Sequence, residues 1–252
     1  PFFGHFFRWS QAGQVLAELG RTWQPFGGAG YFVLLALLVL SLVAAAALIG
    51  LPVVVARRAP ATEFTQPPVS AGLLLTYFGL LGLGYLFVEI PLMQQTIRFL
   101  GYPARAVTVV LFTLLAFSGV GSALSSRLRM QPVWALAALV ALIAGTAIGL
   151  PVLYSGLLSL PWGPRLVVTV AGLAPVGLLM GLPFPLGLRY AGTVAPQHVP
   201  WAWAANGAMS VVASVLSALV SLSVGFTWVL VAGAMAYALA ALCTLPWRRD
   251  LY

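Results

Sequence analysis

Apolar runs of about the same length, separated by short polar stretches, repeat along nearly the whole chain: residues 31–56, 71–90, 104–124, 133–153, 165–184, 202–224 and 226–246. A hydrocarbon core of about 30 Å takes roughly 20 residues of helix to cross. The pattern therefore predicts an all-α fold, a polytopic transmembrane bundle of about seven helices over residues 30–252. Six to eight crossings bracket the count. Only Gly225 and its neighbours divide the last two runs, which calls for a tight helical hairpin, and the fourth run continues past Pro151 into LYSGLLSLPWGP, a candidate short interfacial helix.

Residues 1–29 follow a different rhythm. Trp9, Ala12, Leu16, Leu19 and Trp23 recur at spacings of three and four, while Gln11, Gln14, Glu18 and Arg21 occupy the other face. This predicts an amphipathic helix lying in the headgroup region with Trp anchors at both ends; packing of the same stripe on a soluble domain outside this chain is the alternative. The chain opens at Pro1 without a signal-peptide pattern, so we expect the native start upstream.

Composition narrows the class. Apolar residues make up 62% of the 252 and charged residues 6%, against about 25% charged in soluble domains. All 12 basic residues are arginine and the acids are Glu18, Glu63, Glu89 and Asp250, for a net charge of +8. The arginines sit singly or in pairs between apolar runs, which marks topology signals and headgroup contacts and argues against nucleic acid as a partner. With seven crossings, Arg8, Arg21, Arg98, Arg105 and Arg165 share one side of the membrane. Arg57, Arg58, Arg127, Arg129, Arg189, Arg248 and Arg249 share the other, and the positive-inside rule puts that side and the C-terminus in the cytoplasm.

Few residues in the spans carry chemistry. Ser210, Ser214, Ser217 and Ser221 share a helix face, and Gly145 with Gly149 and Gly177 with Gly181 form small-xxx-small pairs; both read as helix packing. Glu89, in GLGYLFVEIPLMQ, is the single acid in or beside a span. A carboxylate at that depth is costly unless it is paired, neutral or open to a polar cavity. Arg98 and Arg105 are candidate partners, and Glu89 with Gln94, Gln95 and Arg98 forms a candidate substrate or ion site. The competing reading is a structural ion pair or helix end, because Pro91 bends or stops a helix. Arg189, His198 and Asn206, with Trp201 and Trp203, form an interfacial polar group on the face opposite Glu89.

No catalytic site, metal set or cofactor is expected. His5 and His198 lie outside the spans, Cys243 is the only cysteine, and Gly27, Gly28 and Gly30 open no βαβ unit.

The motifs GLGYLFVEIPLMQ, GVGSALSSRLR, GLPFPLGLR and PWAWAANGAMSVVASVLS, in that order, resemble the C-terminal membrane region of bacterial multi-pass spermidine synthase-like proteins. The opening PFFGHFFRW is similar to the junction that follows their soluble domain. The resemblance implies an aminopropyltransferase-like domain upstream, a bacterial inner-membrane location, and a non-catalytic role for this region as anchor or accessory subunit among membrane lipids and other membrane protein subunits. A cytoplasmic domain before Pro1 conflicts with the arginine count unless the number of crossings is even. The alternative function is a transporter-like module that uses Glu89 for a cationic or proton-coupled substrate.

Overall fold

A computed structural model describes residues 29–57, 70–128 and 130–249, with side chains over 32–47, 70–128 and 130–247. The amphipathic segment expected at 1–29 lies outside the described residues, apart from its last position. The elements are α1 (Ala29–Arg57), α2 (Ala71–Leu100), α3 (Pro103–Ser125), α4 (Pro132–Gly156), α5 (Trp162–Met180), α6 (Pro183–Val194), α7 (Val199–Val224) and α8 (Phe226–Cys243). Single 3-10 turns at Pro196–His198 and Pro246–Arg249 complete the order, and no strand occurs among the described residues. Among the described residues, six helical units are long and apolar enough to cross a membrane, α5 and α6 together forming one of them, Trp162–Val194. The 29-residue α1 is a further apolar helix. The chain is a multi-pass helical membrane protein.

Local sequence sets the helix ends. Ser70 caps α2, its hydroxyl accepting from Leu73 N at 3.3 Å. Gly101 ends the same helix with φ 77°, a left-handed turn open to a residue without a Cβ, and its N–H bonds Ile97 O. Proline opens α3, α4 and α6, where a missing N–H costs nothing.

Two expectations about proline are corrected. Helix α2 does not end near residue 90 but runs through Pro91 to Leu100, and α4 runs through Pro151 to Gly156, so no separate interfacial helix follows it. Proline removes one hydrogen bond, and neighbouring helices hold the rest of the helix in register. The fifth span is likewise longer than 165–184, because α6 continues it after a break at Gly181 and Leu182. The tight hairpin around Gly225 is present between α7 and α8.

Helix α2 is the central element, packed against α3, α7 and α8. Its buried face, with Tyr77, Phe78, Leu81, Val88, Leu92 and Phe99, supplies much of the core. The outside of the bundle is also apolar: Phe112 and Ile148 are each 75% exposed. Such faces suit hydrocarbon, where an exposed apolar side chain carries no penalty.

In lipid the driving force between helices is close packing, so small residues decide where backbones meet. Gly177 and Gly181 serve this purpose as expected, and so does Gly121, at the crossing of α3 and α5. A Cβ on Gly181 would lie 2.0 Å from Ser118 O, and one on Gly121 would lie 2.0 Å from Leu178 O. Gly145 and Gly149 differ, with no described atom within 4 Å of where their Cβ would stand.

Candidate functional site

The crossing of α2 and α7 builds one wall of an intramembrane cavity. Asn206 Nδ2 donates to Phe78 O at 3.1 Å, and Ser210 Oγ donates to Asn206 O at 2.9 Å and to Gly82 O at 3.2 Å. These bonds need the close approach that Gly82 permits, where a Cβ would lie 2.2 Å from Asn206 O. The cavity, about 400 Å³, is bounded by Tyr85, Ser118, Ser122, Asn206, Ser210 and Tyr237, together with apolar residues of α2, α3, α5 and α6. Helix α3 packs on α2 and α5, α7 packs on α1, α2 and α8, and both contribute to the cavity lining.

Glu89 stands one turn beyond Tyr85 on α2, near the middle of that 30-residue helix rather than at its end. It is 9% exposed and lies within electrostatic reach of both Tyr85 and Tyr237. Tyr85 Oη is buried with no hydrogen-bond partner among the described residues. The Ser118 hydroxyl is close to it but donates to Leu115 O at 3.1 Å. Tyr237 is buried against α2 where Gly84 leaves room for its ring.

Three of the donors around this cavity are engaged. Asn206 Nδ2 and the hydroxyls of Ser118 and Ser210 all bond backbone carbonyls, which leaves hydroxyl lone pairs, Asn206 Oδ1 and the Glu89 carboxylate as acceptors. Tyr85 Oη is a free donor, and the hydroxyls of Ser122 and Tyr237 add further donors. A polar lining near a carboxylate at low dielectric favours a ligand that brings protons or positive charge.

The expected partners of Glu89 are not brought to it. Because α2 is continuous through Pro91, Arg98 falls nine residues on, about 13 Å along the axis and half-way round the helix. It is exposed. Arg105 stacks over Tyr102 and Trp162, at 4.9 Å and 5.4 Å. Gln94 is half-buried, and Gln95 is buried with Oε1 unpartnered among the described residues, but their spacings of five and six put both off the Glu89 face.

The interfacial group also separates. Arg189 is exposed in a second cavity, and His198 is half-buried with its Nδ1 unpartnered among the described residues. Asn206, expected on the face opposite Glu89, instead reaches inward to α2 and shares the cavity of Tyr85. Tyr85, Ser118, Ser122 and Tyr237 were missed from the sequence. The one legible signal was Tyr85, a polar side chain four residues before the acid.

Among the described residues, no three His, Cys, Asp or Glu side chains come together to hold a metal. Comparison with protein-family models, curated proteins and solved structures finds no match to the chain.

Proposed function

We propose that this chain is a membrane-embedded binding or transport module that takes a cationic or proton-donating group beside Glu89. One observation carries the reading: an intramembrane carboxylate stands a turn from a tyrosine hydroxyl that lines a polar cavity and lacks a partner among the described residues, with no cation from those residues beside it. A bound ammonium or a proton would supply the missing charge balance that makes burial tolerable.

The test uses the purified chain in proteoliposomes, with spermidine as the probe cation and an enclosed pH dye for proton movement. Uptake or binding that falls at least tenfold in Glu89→Gln, and holds in Arg98→Gln, is the expected result. A wild-type chain that neither binds spermidine nor moves protons, or a Glu89→Gln chain that behaves as wild type, refutes the reading.

A second reading rests on the outside of the bundle. An apolar groove of about 250 Å³ runs between α4 and α8, lined by Val140, Ala144, Ala147, Val231, Ala234 and Met235, and Gly145 and Gly149 stand open on α4. These features suit a further membrane helix, consistent with a non-catalytic anchor or accessory portion of a spermidine synthase-like protein in the bacterial inner membrane. Purification without any partner, together with a native gene that encodes no soluble domain, would remove it.

A further inference from the structure

The second cavity, about 630 Å³, opens at the end of the bundle where α3 and α6 finish and α4 begins. Its size falls within the range of small-molecule sites. Arg189 and Thr193 of α6, Ser126 after α3, Gln131 before α4, and Trp247 line it. Two donors stand out. The Arg189 guanidinium is exposed, and the one described carboxylate, Glu89, lies in the middle of α2 away from it. Trp247 is 1% exposed, and its Nε1–H is buried without an acceptor among the described residues.

The indole is held in place. Its ring stacks on Tyr190 at 4.3 Å with 11° between planes and meets Tyr77 at 4.8 Å. Tyr77 is fixed in turn by its hydroxyl, which donates to Pro183 O at 2.7 Å. An indole N–H can only donate, and a buried donor without an acceptor costs about 1–3 kcal/mol, so an acceptor-only ligand at this position relieves a standing penalty. The hydroxyls of Thr193 and Ser126 already donate to Tyr190 O and Ala123 O, so Arg189 and the indole are the donors on which a ligand here depends.

We infer that this cavity binds a phosphate-bearing group, with Arg189 pairing its charge and Trp247 Nε1–H donating to an oxygen. Arginine's planar fork matches phosphate oxygens in a way that a point charge does not. The group's source is either the headgroup of an anionic phospholipid, which the bundle-end position brings within reach, or a soluble phosphate. The inference is independent of the function assigned to Glu89.

The experiment uses the purified full chain in detergent and native mass spectrometry. Phosphatidylglycerol is the lipid probe, phosphatidylcholine its comparison, and inorganic phosphate the competitor. We expect phosphatidylglycerol or phosphate to bind, with Arg189→Gln weakening the bound species roughly tenfold, as loss of a charge-assisted bond does. Trp247→Phe keeps the aromatic stack and removes the donor, and should weaken binding about threefold or more. Phosphatidylglycerol binding that persists in millimolar phosphate assigns the lipid, and displacement by phosphate assigns the soluble ion. Arg127→Gln, an exposed arginine outside the cavity lining, should change little. Equal loss in Arg127→Gln and Arg189→Gln, or equal binding of phosphatidylglycerol and phosphatidylcholine with no phosphate bound, overturns the inference.

Discussion

Replacing Gly181 with alanine tests how α3 and α5 are held together, and with them one wall of the cavity lined by Tyr85 and Asn206. The backbone of Gly181, φ −75° and ψ −16°, suits any L residue, so conformational strain does not enter. The cost is steric. The new Cβ would stand 2.0 Å from Ser118 O and 2.7 Å from Ser118 Cα, and no real contact is closer than 3.0 Å, so the helices must part by at least 1.0 Å. A gap of that size forfeits a quarter to a half of the dispersion energy of each atom pair it separates. Overpacking of this kind costs about 1–3 kcal/mol. In a chain of this size that corresponds to roughly 2–12 °C in Tm. Gly145→Ala is the control, since open space surrounds that position, and it should lie within about 0.5 kcal/mol of wild type. Thermal unfolding of the three proteins in one detergent decides the matter. Equal Tm values for Gly181→Ala and Gly145→Ala would refute the close approach of α3 and α5. Gly121→Ala strikes the same interface from the other helix, and the double variant should cost less than the sum, because a parted pair of helices accommodates both methyl groups.

Substitutions at two further positions address the ends of helices. Gly225 joins α7 to α8 at φ 97° and ψ 164°, a region essentially confined to glycine, so Gly225→Ala should destabilise by about 1–3 kcal/mol in a denaturant titration, and an unchanged midpoint would contradict the hairpin geometry. Arg165 gathers three backbone carbonyls at the turn between α4 and α5, donating to Leu160 O at 2.8 Å, to Phe99 O at 3.0 Å and to Leu158 O. Arg165→Met keeps the apolar stem and loses the bonds, with an expected cost of about 2 kcal/mol by the same titration. Arg165→Lys should recover only part of it, because an ammonium cannot reach three acceptors in a fork.

The spans were legible for a reason particular to membranes. Apolar side chains face both the core and the lipid, so a helix reads as an unbroken run whatever its neighbours do. Val88 and Ile148 illustrate this: one is fully buried and the other is 75% exposed, yet both belong to the same kind of run. That uniformity also hides which side of a helix faces inward, since the contrast between polar and apolar faces that locates a core in water is missing. Proline misled at Pro91 and Pro151 because its local effect is a lost hydrogen bond, whereas the continuation of the helix depends on the helices packed around it.

What the chain's own order of residues determined was the class, the approximate positions of the spans with a count of six to eight, and Glu89 as the acid that a membrane would not tolerate without cause. The depth of Glu89, its distance from Arg98 and its association with Tyr237 were decided by tertiary structure. So was the reach of Asn206 to Phe78, a residue 128 positions away. The physical reason is common to all of them. Helical periodicity relates residues within a turn or two, as it does Tyr85 and Glu89, but the glycines that let α7 lie against α2 set distances between helices, and no local pattern encodes those.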